Sequence, residues 1–203
     1  LVQPQILYLP TWEGVYEEGN YSSARLSAAM LIEIHHRFGL HISAKFHPVT
    51  GSRDKILANA PQYVSEELQR VGASFTVADK LVPVSELLLN TNVYICDISA
   101  VVSECIAANG PIFVYIPADK EIKTAQSDMS YEDYAYTFSN IEELCNKLEQ
   151  VLNGNDYLKD QRQKAMDYLL TISSTRNNEF AKKLQEIAET NYLLDNARLE
   201  VIQ

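Results

Sequence analysis

The sequence predicts an α/β domain, a parallel sheet of about six strands with helices on both faces, followed by a helical extension. Three observations carry this. Short apolar runs recur at Gln5–Pro10, Ile42–Phe46, Ser74–Val77, Val93–Cys96 and Ile112–Ile116, each about the length of a buried strand. Stretches with helical apolar spacing separate them, and crossovers of that length join parallel neighbours. The 203 residues, 46% hydrophobic and 22% charged, suffice for one cored domain and an appendage. We expect residues 1–154 to form the α/β domain and residues 155–203 a helical extension packing on it.

In chain order, QILYLP (Gln5–Pro10) is a first buried strand ended by proline. Thr11-Trp12-Glu13-Gly14 follows, and Tyr16–Tyr21 is acidic and turn-like. Trp12 admits two readings, a loop aromatic covering the sheet edge or a member of a cleft. Ser22 or Ser23 is placed to cap a helix with Leu26, Met30, Ile34 and Phe38 on its apolar face, ended by Gly39. His35 and His36 are adjacent, so they point apart and suit the surface better than a metal. Ile42–Phe46 is the second strand, and it delivers Lys45-Phe46-His47-Pro48 to the carboxyl edge of the sheet. A helical stretch over 53–71 is broken or restarted at Pro61. Ser74–Val77 is a third strand, and Ser85 opens a short helix, Glu86–Leu89.

The stretch from Asn92 to Pro117 is the most informative. Its apolar run stops abruptly at Asp97. Val101, Val102, Cys105, Ile106 and Ala108 then keep one helical face apolar. Asn109-Gly110-Pro111 ends that helix, with glycine suited to a left-handed cap, and Ile112–Ile116 restarts a strand. Asp97 thus stands at the carboxyl end of a strand, where open α/β sheets bind ligands. Ser99 and Ala100 stand where the helix begins, and unpaired N–H groups there attract phosphate oxygens. Glu104 lies one turn above Ala100, placed to accept hydrogen bonds from ribose hydroxyls. The spacing also fits an ordinary N-cap serine and a solvated glutamate.

Beyond Pro117 runs a long polar loop, from Ala118 to Tyr136. Ser139 or Asn140 caps a helix over Ile141–Leu152, closed by Asn153-Gly154. Two further helices are expected, Tyr157–Ile172 and Asn178–Leu194. The formal charge of −10 argues against a general nucleic-acid binder, because phosphate backbones need a concentrated basic surface. The three cysteines lack metal spacing and read as reduced core residues of a cytoplasmic protein. No apolar run approaches the roughly 20 residues of a membrane span, and no metal ligand set or signal peptide is expected. The chain begins at Leu1 rather than Met, as expected of a fragment.

Asp97-Ile98-Ser99-Ala100, followed by Glu104 and Asn109-Gly110-Pro111, resembles the Asp-Tyr-Ser-Ser signature of CDP-glycerol glycerophosphotransferases, which build teichoic acids and related capsule polymers. Thr11-Trp12 resembles their Pro-Thr-Trp-Arg segment, with Glu13 where the family often has a base. Lys45-Phe46-His47-Pro48 resembles their Arg-x-His-Pro motif. A fainter similarity links the first segment to the Asp-Ser-Gly-Gly segment of UDP-N-acetylglucosamine 2-epimerases. The resemblance implies the C-terminal, donor-binding half of a GT-B enzyme, with a CDP-activated donor as substrate and no cofactor. In that picture Lys45, Arg53, Asp97, Ser99, Ala100 and Glu104 hold the nucleotide and its phosphates. His47 protonates or stabilises the CMP that leaves, and Thr11, Trp12 and Pro83 line the cleft. The implied partners are an N-terminal acceptor domain absent from this chain and a polymer or lipid-linked acceptor, with no nucleic acid. Without that domain the chain is expected to be inactive alone. Any attachment to the inner face of the membrane is expected to lie outside it. A nucleotide-sugar glycosyltransferase or epimerase, and a non-catalytic nucleotide-binding domain, stand as alternatives on the same scaffold.

Overall fold

A computed structural model describes residues 3–122, 128–170 and 176–189. The centre of the loop after Pro117, and the expected helix residues at 171–172 and 190–194, lie outside the described residues. The strands are β1 (Gln5–Leu9), β2 (His41–Ala44), β3 (Phe75–Val77), β4 (Val93–Asp97), β5 (Ile112–Tyr115) and β6 (Tyr136–Phe138). They form one parallel sheet in the order β3-β2-β1-β4-β5-β6. Chain direction across the sheet reverses between β1 and β4, so their carboxyl ends diverge and leave a crevice. β6 corrects the expectation of a loop running to Tyr136: aromatic Tyr136 and Phe138 pair beside β5, and Tyr136 stacks on Phe113 with centroids 5.1 Å apart.

The period-two alternation of side chains sorts the strands onto two cores. Ile6 and Tyr8 of β1 join Ile42, Ile95 and Phe113 on one face. That face is covered by α1 (Ser27–Phe38), α2 (Ala60–Arg70) and α6 (Ile141–Leu152) through Met30, Ile34, Val64, Leu68, Leu144 and Leu148. Leu7, Leu9, Tyr94, Cys96 and Val114 point the other way. They meet Val102, Cys105 and Ile106 of α4 (Val101–Ala108) and Ala165 of α7 (Lys159–Leu170). Two small helices, α3 (Val84–Leu88) and α5 (Tyr131–Tyr134), sit on the connections before β4 and β6. All three cysteines are buried free thiols, with the Cys96 and Cys105 sulfurs 3.7 Å apart.

Local sequence accounts for most element ends. Pro61 lies in the first turn of α2, where its missing N–H costs nothing, after a 3-10 turn over Lys55–Asn59. Asn140 caps α6 by accepting the Glu143 N–H, while the Glu143 carboxylate takes the Ser139 N–H in return. At the end of α4 the roles expected of two residues are exchanged. Asn109 takes the left-handed conformation (φ 56°), and Gly110 is needed for space, because a Cβ there would lie 2.4 Å from the Asn92 carbonyl oxygen.

The compact unit runs to Leu170, beyond the boundary expected at residue 154. Arg162 of α7 is buried and paired with Asp156, whose carboxylate also accepts the Tyr136 hydroxyl at 2.8 Å, so α7 is bound into the sheet domain. The second unit, residues 171–203, contains α8 (Arg176–Glu189), with Phe180, Leu184 and Ile187 at helical spacing. No helix among the described residues is long and apolar enough to cross a membrane.

Asp97 ties the crevice together. It is fully buried, and its Oδ2 accepts the backbone N–H of Thr11 at 2.8 Å and of Ser23 at 3.0 Å. Ser22 and Ser23 therefore do not cap α1, which begins only at Ser27. Ser22 donates its hydroxyl to the Thr11 carbonyl, and Ser23 is bonded to Tyr8 and Asp97. Burial pushes the Asp97 carboxyl up to about 7, against the lowering effect of its bonds to Ser23 and Thr11. The folded protein thus keeps a proton that the unfolded chain releases, so this group's contribution to stability falls as pH rises from the ordinary carboxylate range through about 7. Asp97→Asn keeps an acceptor for both N–H groups and cannot ionise. Its stability relative to the wild type, measured by urea unfolding, is expected to rise between about pH 5 and pH 8. A difference that stays constant across that range would contradict the assignment.

Candidate functional site

The crevice at the carboxyl ends of β1, β2 and β4 holds a cavity of about 470 Å³. Leu9, Pro10 and Thr11 follow β1, Lys45–Pro48 follow β2, and Ile98–Val101 follow β4, with Glu104 one turn along α4 and Val84 at the start of α3. Six of the residues expected from the sequence meet here: Thr11, Lys45, His47, Ser99, Ala100 and Glu104. Arg53, Asp97, Trp12 and Pro83 do not line the cavity.

The floor of the site is the start of α4. Ala100 occupies the cap position, no side chain caps the helix, and the first local bonds are from Val102 to Ser99 and from Ser103 to Ala100. Ser99 turns its hydroxyl towards the Asp97 carbonyl at 3.4 Å. The N–H groups of Ser99, Ala100 and Val101 precede these bonds, and all three residues line the cavity, so a helix start with its dipole borders it, an arrangement suited to a phosphate. Glu104 is exposed on the same helical face as Ala100. Its carboxylate stands about a turn from that helix start, a separation that suits hydroxyl groups rather than a second anion.

The opposite wall supplies a cation, Lys45, and an imidazole, His47. Lys45 is buried but for 8% of its surface, and its Nζ donates to the Lys80 carbonyl at 3.1 Å. His47 stacks on Trp12 with centroids 6.3 Å apart and planes inclined by 23°. Partial burial and the neighbouring Lys45 charge hold the imidazole below its ordinary pKa, and Glu13 acts in the opposite sense. Trp12 thus belongs to the site at one remove, as the surface against which His47 rests.

Glu13 is the residue that sequence reasoning missed. It is fully buried, and its carboxylate accepts N–H groups from Gly51 at 3.1 Å, Arg53 at 3.1 Å and Asp54 at 2.9 Å. Burial raises its pKa, but the backbone donors outweigh burial and hold it below the ordinary range. The acid that replaces a family base therefore shapes the turn behind His47 rather than meeting an anion. Its partners lie 38 to 41 residues away, so no local pattern announces the role. Arg53 is drawn into the same structure. Its guanidinium donates to the Glu13 carbonyl at 3.0 Å and to the Glu17 carboxylate at 2.7 Å, and Lys120 also pairs with Glu17. Pro83 is the cap residue of α3, whose next residue, Val84, reaches the cavity.

This geometry has parallels in solved structures. The wall teichoic acid polymerase TagF, soaked with CDPG, superposes with a TM-score of 0.59 at 16% identity over 93% of this chain and 42% of its own. TarM gives 0.52 at 14% identity over 90% of this chain and 35% of its own. The C-terminal domain of the group 1 glycosyl transferase LpcC from Francisella tularensis gives 0.51 at 9% identity, covering 84% of this chain and 89% of that domain. The chain thus spans less than half of the TagF chain, and these likenesses establish the GT-B type of fold expected from the sequence. No curated protein matches the sequence significantly. The family described as CDP-glycerol:poly(glycerophosphate) glycerophosphotransferase matches residues 2–184. With nine-tenths of its length inside that match, the chain belongs to the CDP-glycerol:poly(glycerophosphate) glycerophosphotransferase family.

Proposed function

We propose that this chain is the donor-binding half of a glycerophosphotransferase, holding a CDP-activated glycerol or related polyol phosphate for transfer to a surface-polymer acceptor. The observation that carries this is the convergence, around one cavity, of the uncapped start of α4, Glu104 one turn away, and Lys45 and His47 opposite. In this reading the diphosphate lies against the N–H groups of Ser99, Ala100 and Val101, and Glu104 accepts the ribose hydroxyls. An acceptor hydroxyl oxygen attacks the phosphorus bearing the polyol, the bond from that phosphorus to the CMP oxygen breaks, and CMP leaves with the electron pair. Lys45 offsets the charge gathering on CMP, and protonated His47 donates to it. The acceptor, and the base that takes its proton, belong to a further domain outside this chain, so the chain alone binds without transferring. The activated donor drives the reaction, and the proposal involves no cofactor.

Two measurements test this. Glu104→Ala is expected to weaken CDP-glycerol binding by about 10-fold in calorimetric titration, the loss of one or two hydrogen bonds to a charged acceptor. Unchanged affinity would remove Glu104 from the ribose. His47 begins with a lowered pKa, and an anion beside it raises that pKa, so binding takes up a proton and strengthens as pH falls from about 8 to 6. Titrations in buffers of different ionisation enthalpy should show that uptake in the wild type and its loss in His47→Asn. Uptake that survives in His47→Asn would place the titrating group elsewhere.

A further inference from the structure

Glu13 is a buried ion in an unusual setting. Among the described residues no cation pairs with its carboxylate, because the Arg53 guanidinium goes to the Glu13 carbonyl and to Glu17. Its charge is held by three backbone N–H groups, all from the stretch that follows His47: Gly51, Arg53 and Asp54. Such bonds favour the ionised form and offset much of the cost of burial. The stretch they grip starts at His47 itself. The His47 carbonyl accepts the Thr50 N–H at 2.9 Å, and the Val49 carbonyl accepts the Ser52 N–H at 3.0 Å. Two successive turns thus carry the chain from His47 to the residues that Glu13 holds. Gly51 has φ 81°, and a Cβ there would lie 2.3 Å from the Ala58 Cα, so the turn is packed against the 3-10 segment without room to shift.

The residue before Glu13 holds the imidazole. His47 is exposed, and two contacts fix its ring: the stacked face of Trp12, and the Val49 N–H, which donates to Nδ1 at 3.4 Å. With Nδ1 accepting, the neutral ring carries its proton on Nε2, the nitrogen left for a ligand. The charges facing the ring are few. Lys45 at the end of β2 disfavours a second proton and Glu13 favours one, while Glu104 of α4 lines the same cavity.

We infer that Trp12 and Glu13 are positioning residues for His47, Trp12 setting the plane of its ring and Glu13 the turn beneath it, so that Nε2–H is presented to the cavity as a donor. The inference rests on the reading of His47 as the group that meets the leaving phosphate. It makes the segment after β1 one device, with Thr11 anchored on Asp97, Trp12 against the ring and Glu13 under the turn. The buried charge of Glu13 also works against that of Lys45, which helps His47 to take up a proton.

NMR titration of the ring C–H and nitrogen signals in the ligand-free chain tests this. The His47 signals are identified among those of the four histidines by their loss in His47→Asn. In the wild type the neutral ring should be the Nε2–H tautomer. Glu13→Gln removes the charge, and Trp12→Leu removes the stacked face. The two are expected to move the His47 titration in opposite directions, Glu13→Gln downwards through the lost charge and Trp12→Leu upwards through the lost burial. Trp12→Leu should also mix the two tautomers. Glu13→Gln is expected to bind CDP-glycerol about 3-fold more weakly at pH 7 and to recover part of that loss at pH 6. Residues that only hold the fold would lower the melting temperature and leave the titration and tautomer of His47 untouched. That result in Trp12→Leu, or in a folded Glu13→Gln, would overturn the inference, and if Glu13→Gln does not fold, Trp12→Leu decides alone. Failure of the wild type to bind CDP-glycerol, with both shifts present, would overturn the nucleotide reading and not the positioning of His47.

Discussion

The structure turns on a buried carboxylate at the point where the sheet changes direction. β1 and β4 run side by side, yet their chains leave in opposite senses, and that divergence makes the crevice. A crevice between diverging strands is structurally weak unless something spans it. Asp97, the last residue of β4, does so by accepting the Thr11 and Ser23 N–H groups on one oxygen. Its other oxygen, Oδ1, is buried and has no partner among the described residues. Desolvating a carboxylate costs several kcal/mol when it is incompletely paired. The grip on two loops is what that cost sustains, because Thr11 lines the cavity and the next residue, Trp12, supports His47.

Charge is distributed with the same economy. The chain carries ten more acidic than basic side chains, a balance that repels anions at long range. The crevice offsets it locally with Lys45 and the α4 N-terminus, while two nearby acids, Glu13 and Glu17, are occupied by other groups. Glu13 is saturated by backbone N–H groups, and Glu17 is held by Arg53 and Lys120. An acidic loop can therefore border the crevice without cancelling its positive groups. The interactions that neutralise the loop also form the turn carrying His47 from β2 to the 3-10 segment before α2.

Much of this was legible in the sequence, and the exceptions have physical causes. Five strands are readable because each is an apolar run bounded by Pro, Gly or a charged residue. β6 directly follows a polar loop, so it is defined by pairing with β5 rather than by its own pattern. The cavity residues Lys45, His47, Ser99, Ala100 and Glu104 are legible because strand ends and helix starts are local features. Asp97 was found for its position, but its partners lie 74 and 86 residues away, and only the fold shows that it faces backbone rather than the cavity. Glu13 and Arg53 were obscured in the same way. The boundary at residue 154 followed the Asn153-Gly154 stop, whereas the Arg162–Asp156 pair, which binds α7 to the domain, depends on Tyr136 in a strand that the pattern did not reveal.

The central claim is that the crevice at the β1/β4 reversal holds the nucleotide through the start of α4. Backbone amide chemical-shift mapping of the isotope-labelled chain during titration with CDP-glycerol tests it most directly. The account predicts saturable shifts concentrated at the amides of Thr11, Lys45–His47 and Ser99–Val101, with little change along α2 and α6 on the far face of the sheet. Shifts centred on α2 or α6, with the Ser99–Val101 amides unmoved at saturation, would contradict it.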